Sequence, residues 1–314
     1  MSPVLRPVAR SAADMLLRSP PVQRAALRMG AARQRAIVLV WHRIAPEGPQ
    51  PHEVVPTVAL SSFSDQLDLL QDLGTVVPLT ACDDGVSPAD GRPLFALTFD
   101  DDDARHADHV LPILARRGLP ATFFLSGRWL HGYGPYWWEL LEDEIAAVGT
   151  AEVAGRHGLP ADVSAPRIGR ELTGTDAVVE MARRARHAVP PPMSQPQATA
   201  LVAAGMEIGF HTIDHDMLPT LSDPALVDAV ATGRDVLAAA VGFPIERFAY
   251  PHGGADSRTA AAVSRAGYRS AWTTAKRTAR PGDPPMLRGR WDVGHRSLDQ
   301  LHRILLRGLA RPTP

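Results

Sequence analysis

A chain of 314 residues is long enough for one large barrel or two small domains. Its formal net charge of -1 gives no long-range pull toward nucleic acid or acidic membranes. The single cysteine, Cys82, rules out an internal disulfide and a thiolate metal cage, and no apolar run approaches the length of a membrane span.

Residues 1–35 read as a basic, amphipathic N-terminal extension. Arg6, Arg10, Arg18, Arg24 and Arg28 interrupt short apolar clusters such as Met15-Leu16-Leu17, so a continuous signal-peptide core is missing. The expectation is a helix lying on the domain. A membrane contact through this extension is the lesser alternative, because its basic face lacks aromatic anchors. With no export signal visible, a cytoplasmic or peripheral location is favoured. Nothing in the sequence fixes an oligomeric state.

From Ala36 the punctuation becomes regular. Ile37-Val38-Leu39-Val40 reads as a buried strand ending at Trp41-His42. Phe63, Leu67, Leu70 and Leu73 at helical spacing predict a helix over 62–73, closed by Gly74. Val76-Val77 is a minor strand, and residues 80–93 have loop composition. The apolar run from Leu94 to Phe99 is a strand that stops in Asp100-Asp101-Asp102-Asp103, a helix follows over 104–117, and residues 121–125 form the next strand.

Residues 127–193 break this rhythm. They hold an aromatic knot, Tyr133, Tyr136, Trp137 and Trp138, then an irregular stretch whose apolar density is too low for a second core. They read as an insertion. Ser194 and Gln197 predict a capping box for a helix to Ala204, and a strand follows over 206–210. One long helix is expected from Ser222 or Asp223 to just before Gly242. Strands over 247–250, 269–273 and 290–293 alternate with helices over 257–266 and 297–309. Strand and helix in alternation, about seven times, predict parallel strands with crossover helices. The fold class is α/β, a distorted (β/α) barrel with seven or eight units over 36–310. No glycine-rich dinucleotide turn follows any strand.

Catalytic groups of such barrels sit at the C-terminal ends of strands. Those ends deliver His42, Asp100 and Asp101, His211, His252 and Asp292. Four adjacent carboxylates are costly unless a cation sits among them or they face water. His215 follows His211 by four residues, and one helical turn would place both on one side. Two histidines and a carboxylate leave a fourth position open, as in a catalytic zinc site.

Three segments resemble the first three motifs of the polysaccharide deacetylases, the NodB-homology family or carbohydrate esterase family 4. They are Thr98-Phe99-Asp100-Asp101, His211-Thr212-Ile213-Asp214-His215 and Phe248-Ala249-Tyr250-Pro251-His252-Gly253-Gly254. The last is similar to the subgroup with Tyr-Pro in that turn. Val40-Trp41-His42 and Pro120-Ala121-Thr122-Phe123-Phe124 also recur in the family.

The resemblance implies a TIM-like, NodB-type barrel. It implies a divalent metal, most often zinc, held by Asp101, His211 and His215, with metal-bound water as nucleophile and Asp100 as general base. The oxyanion would be held by the metal and a backbone N–H of the Tyr250-Pro251-His252 turn. Arg290, with Arg288 as alternative, would orient the base, and His295 would be the general acid, with His42 and His252 as other candidates.

Two departures stand out. Asp102 occupies a position that is usually glycine, and Ala249 one that in the better-known motif is arginine. Trp138 in the aromatic knot would stack on a sugar ring; an anchor tying the insertion to the barrel is the favoured alternative. The implied activity is removal of N-acetyl groups from N-acetylhexosamine units of a polysaccharide or lipid-linked glycan. Hydrolysis of another C–N bond, in a formamide or cyclic amide, and a catalytically impaired carbohydrate-binding barrel are the rival readings.

Overall fold

The computed structural model describes residues 19–32, 35–84, 91–185, 193–280, 282–294 and 296–310. In chain order its elements are α1 (Pro20–Ala32), β1 (Ala36–Trp41), β2 (Ile44–Ala45), β3 (Val58–Ala59), α2 (Leu60–Leu73), β4 (Thr75–Val76), α3 (Leu79–Asp84) and β5 (Leu94–Asp100). After a π-helical turn at His106–Val110 come α4 (Leu111–Arg117), β6 (Thr122–Leu125), α5 (Trp137–Val148), α6 (Thr150–Arg156), α7 (Ala165–Leu172) and α8 (Asp176–Ala185). The remainder is α9 (Gln195–Ala203), β7 (Glu207–Phe210), α10 (Asp223–Ala231), α11 (Arg234–Val241), β8 (Arg247–Ala249), α12 (Ser257–Arg265), β9 (Ser270–Trp272), β10 (Trp291–Asp292) and α13 (Leu298–Ala310).

Strands run in the order β10-β1-β5-β6-β7-β8-β9, all parallel, with β4 added beside β5. The curled sheet with helices around it is the distorted (β/α) barrel expected. Residues 288–292 meet both of its margins: Arg288 bridges to Trp272 in β9, and Trp291 and Asp292 pair with Leu39 and Val40 in β1.

Strand period sorts the side chains into two layers. Ile37, Leu39, Trp41, Phe95, Leu97 and Phe99 face the helices in the main apolar cluster. Ala36, Val38, Leu94, Ala96, Phe124, Ala249 and Trp272 fill the barrel interior. Leu94 and Ala96 share a face of β5 with Thr98 and Asp100, so the period that buries the first pair carries the Asp100 carboxylate into the barrel. Gly209 in β7 makes room there, since a Cβ would lie 2.3 Å from the Phe124 ring.

Several expectations are corrected. The start of the stretch 80–93, assigned to a loop by composition, instead belongs to helix α3 (Leu79–Asp84). The single long helix over 223–241 is two, α10 and α11, broken at Gly233 with φ 88°. A Cβ there would meet Ile213 at 2.5 Å, so close approach of the histidine loop requires glycine. The 127–193 stretch is not irregular in its described part: α5–α8 enclose an apolar cluster of their own, with Trp137, Leu141, Ile145, Val153, Ile168 and Leu172 around Val54 from the β2–β3 loop. Apart from Val54, the buried members of that cluster all lie between Tyr136 and Met181, spread thinly over four short helices, so a low overall apolar density conceals them.

The insertion is fastened to the barrel rim. Glu142 on α5 accepts N–H bonds from Val54 and Val55 at 2.7 and 3.0 Å and pairs with buried Arg43 at 2.8 Å. Within the N-terminal extension, α1 rests on α13 through Ala26, Gly30 and Leu306, and buried Arg35 donates to the Leu309 carbonyl. Residues 1–18 lie outside the described residues. Among the described residues, no helix is long and apolar enough to cross a membrane.

Candidate active site

All strand C-termini point to one rim, and the chain there takes unusual turns. Asp101 (φ 75°), Thr212 (φ 59°), His215 (φ 57°) and His252 (φ 56°) are the non-glycine residues with positive φ among those described. Each costs roughly 1–2 kcal/mol in backbone strain, and a β-branched residue such as Thr212 is the least tolerant of it. Such strain persists only where the surroundings over-determine it, and here all four lie around one cleft. His211 and His215 therefore meet through a tight loop, with rings 4.9 Å apart, and not across one helical turn as expected. The Thr212 hydroxyl accepts the His215 N–H at 3.2 Å and fixes that loop.

Asp101, His211 and His215 are buried, and their ligand atoms all lie within 4.8 Å of one another. Asp101 Oδ1 stands 3.7 Å from His211 Nε2 and 3.5 Å from His215 Nε2. Two ligands each about 2.1 Å from a tetrahedral ion lie about 3.4 Å apart, so these spacings fit. Burial lowers His211 to about 4 despite the nearby Asp100 charge, so its ring is neutral. Its Nδ1–H donates to the Ala249 carbonyl at 2.8 Å, which turns the Nε2 lone pair toward Asp101. Burial, with Asp100, Asp102 and Asp103 as neighbours, pushes the Asp101 carboxyl well up, and its Oδ1 has no hydrogen-bond partner. An orphaned carboxylate oxygen facing imidazole lone pairs is the donor set a divalent cation satisfies.

Asp100 lies next to this cluster but is held from the opposite side. Fully buried Arg290 grips it in a fork, Nη1 to Oδ1 at 2.6 Å and the other Nη to Oδ2 at 2.7 Å. Arg290 also donates to Thr98 Oγ1 and the Thr273 carbonyl, so its plane is fixed. Burial alone would raise the Asp100 carboxyl; the Arg290 charge and paired bonds, helped by His211, bring it down to about 2. Arg288, the alternative partner, instead points to the Cys82 carbonyl and buried Asp83 at the other end of the barrel.

Asp102 neither faces solvent nor crowds the site. Its buried carboxylate accepts backbone N–H groups from Ser126 (2.7 Å), Arg128 (2.9 Å) and Gly127 (3.4 Å), although burial still pushes it up to about 6. It ties the end of β5 to the loop after β6. Asp103 pairs with Arg105 at the start of the following helix.

Some contributors gave no sequence signal of their role. Arg128 is buried and donates to the carbonyls of Gly134, Pro135 and Ile213, with its guanidinium 4.7 Å from the Tyr136 ring. It thus couples the histidine loop to the aromatic knot. Tyr136 stacks on Trp138 at 4.3 Å, and its hydroxyl bonds Ser126 and the Asp102 N–H. Trp138 in turn meets the His215 ring edge-on at 4.8 Å. The knot is a buried anchor behind a histidine of the site, although Trp138 still reaches the cleft wall. His106, on the π-helical turn, donates from Nε2 to the His42 carbonyl at 2.6 Å. A π-helical turn beside a functional centre is a recurring feature.

The cleft above these groups has a volume of about 340 Å³ and is lined by His42, Trp138 and His252 as well as Asp100, Asp101, His211 and His215. Tyr250 and Pro251 do not line it. The Tyr250 ring is buried with its hydroxyl on the Met286 carbonyl, and its N–H is used by the Trp272 carbonyl. Pro251 has no N–H, so the turn's backbone donor is left to His252. His295 lies outside the described residues.

A family model described as polysaccharide deacetylase matches residues 88–271, more than half of the chain. Among solved structures, the chain is similar to the Streptococcus pyogenes deacetylase PplD in complex with acetate, at 19% identity and TM-score 0.58 over 88% of this chain and 99% of that one. It is also similar to IcaB from Ammonifex degensii, at 21% identity and TM-score 0.56 over 87% and 97% of the two chains. A de-N-acetylase from Aggregatibacter actinomycetemcomitans aligns at 15% identity and TM-score 0.57 over 86% and 99%. No curated protein matches the chain.

Proposed function

The chain belongs to the polysaccharide deacetylase family, and from that premise we propose that it is a divalent-metal-dependent hydrolase removing N-acetyl groups from N-acetylhexosamine units of a glycan. The carrying observation is the convergence of Asp101, His211 and His215 beside an Asp100 that Arg290 grips from behind. A divalent ion held by the three, with zinc favoured by the two imidazoles, would supply Lewis acidity to an amide carbonyl and acidify a water.

The chain's own residues would do the rest. Asp100, ionised at any working pH, would orient the attacking water and take its proton. An acid held this low is a weak base, so the proton transfer would depend on the bound ion first acidifying the water. The His252 N–H would steady the developing oxyanion, since its strained turn leaves that donor unused within the turn. His42 and His252 both line the cleft, so either could protonate the amine; His252 is the nearer to the cluster, with its ring 4.5 Å from that of His215.

Neither departure from the common motif obstructs this reading. At Ala249 the site uses only the backbone carbonyl that sets His211, and the Asp102 carboxylate is engaged by backbone N–H groups of the loop after β6. The test is acetate release from N-acetylglucosamine oligomers with and without chelator, beside Asp100→Asn. Release that survives both perturbations would overturn the mechanism.

A further inference from the structure

The cleft has two unlike sides. Strand ends supply the acids and histidines of one. The other is built by the β2–β3 connection and helix α7 of the insertion, through Val54, Val55, Pro56, Val58, Pro166 and Gly169. Its two halves are in contact, since a Cβ on Gly169 would lie 2.2 Å from the Val54 side chain.

The backbone of this wall is already engaged. The N–H groups of Val54 and Val55 go to Glu142 at 2.7 and 3.0 Å, and that of Val58 goes to the Arg43 carbonyl at 2.9 Å. Pro56 and Pro166 have no N–H, and Gly169 lies within α7. Of the polar side chains beside the wall, Thr173 donates its hydroxyl to the Gly169 carbonyl at 2.8 Å, and Arg170 is exposed. A sugar hydroxyl pressed against such a surface loses water and gains no partner. Hydrocarbon incurs no such cost, and the methyl of an acetyl group is too small to cover the wall.

We infer that this wall is an acyl-chain site, so that the chain also takes amides whose acyl group is longer than acetyl. The reacting carbonyl must lie at Asp101, His211 and His215, so its acyl chain starts one bond from the reacting carbon, inside the cleft that the wall lines. An apolar group on the anomeric oxygen starts several bonds further off, beyond the amide nitrogen and two ring carbons. In the reaction, water adds to the acyl carbon and the C–N bond breaks. The acyl chain leaves as a carboxylate, and the amine takes up both protons of the water. This rests on the hydrolase reading for the amide and adds the length of the acyl group.

Binding of the N-acetyl, N-butanoyl and N-hexanoyl amides of glucosamine, and of octyl N-acetylglucosaminide, would be measured by calorimetry on the zinc-free full chain. Amine release would be followed with zinc supplied. Each buried methylene is worth about fourfold in affinity, so the hexanoyl amide is expected to bind at least about tenfold more tightly than the acetyl amide. Pro56→Asn and Pro166→Asn, at half-buried positions in the two halves of the wall, place a polar amide against the chain. Each should cut that ratio to about threefold or less while leaving acetyl-amide binding and the melting transition unchanged. Affinity that does not rise with acyl length, a rise that both folded variants leave intact, or a gain confined to the octyl glycoside would overturn the acyl site. Acetate release with no gain from chain length would overturn it too and leave the deacetylase reading standing. A chain-length gain that responds to the variants, without release of any amine in the presence of zinc, would uphold the acyl site and remove the hydrolase reading instead.

Discussion

Replacing Arg290 by methionine isolates the fork that holds Asp100. Both partners are buried, with Arg290 at 0% exposure and Asp100 at 2%, and the two N–O distances are 2.6 and 2.7 Å. Removing one member of such a pair leaves a buried uncompensated charge and costs about 3–5 kcal/mol. With Arg290 gone, burial acts unopposed on Asp100, and its proton affinity rises from the value of about 2 that the fork maintains. The sign follows. In the intact protein the folded-state pKa is depressed, so the pair stabilises the fold above the unfolded value near 4, and this is lost as pH falls toward 2. In Arg290→Met that acid-side loss should disappear, and the acidic limb of any deacetylation profile should move to higher pH.

Thermal unfolding of the wild type, Arg290→Met, Asp100→Asn and the double variant gives the coupling directly. The double variant is expected to be more stable than Arg290→Met alone, because the orphaned charge is gone. A single variant that melts within 1 °C of the wild type, or a double variant with strictly additive loss, would refute this account of the pair.

Asp102→Ala strips the acceptor from three backbone N–H groups, and at about 1–3 kcal/mol per buried donor the loss should reach 3 kcal/mol or more; chemical denaturation measures it, and a change below 1 kcal/mol would contradict the bonding described. Zinc at a hundredfold excess over its dissociation constant should stabilise the chain by about 2.7 kcal/mol, reversibly with chelator, and His215→Ala should abolish that gain; a melting temperature indifferent to zinc would count against the site. Arg128→Ala should weaken zinc affinity without touching a ligand, because it frees the Ile213 carbonyl and the Tyr136 ring; equilibrium competition with a chelating dye reads this, and Arg128→Lys should restore only part. Burial, with Asp83 adding, pushes the Cys82 thiol up to about 12. Iodoacetamide at pH 8 should therefore leave it unmodified until the chain is unfolded; rapid native labelling would show the thiol is reachable.

Much of the barrel was legible because its signals are local. Strand period puts Ala96, Thr98 and Asp100 on one face without any tertiary knowledge, and parallel strands send every C-terminus to one rim. The histidines and acids at those ends were therefore readable as neighbours. What escaped depends on distance. Asp102 looked like an intrusion because its N–H partners sit 24 to 26 residues away in a loop with no motif. Arg128 binds carbonyls, which leave no trace in side-chain sequence. The left-handed turns at Asp101, Thr212 and His215 run against local preference, so propensity favoured the helical turn that the structure replaces. The insertion's cluster was missed for another reason: its buried residues, from Tyr136 to Met181, are spread over four short helices and do not raise the apolar density of the segment.

Closure of the barrel and completion of the site depend on the same short segment of this chain. Residues 288–292 bridge the sheet margins, and Arg290 within them is the cation for an acid 190 residues earlier. A nascent chain released only as far as α12 thus carries Asp100 with no counter-charge, on a strand otherwise ready for burial. Premature collapse of that half is penalised by the acid itself, and the penalty lifts only as the last strand docks. Translation order and chemical competence are thereby linked: a fragment ended before Arg288 should stay open, protease-sensitive and inert until the missing segment is supplied in trans.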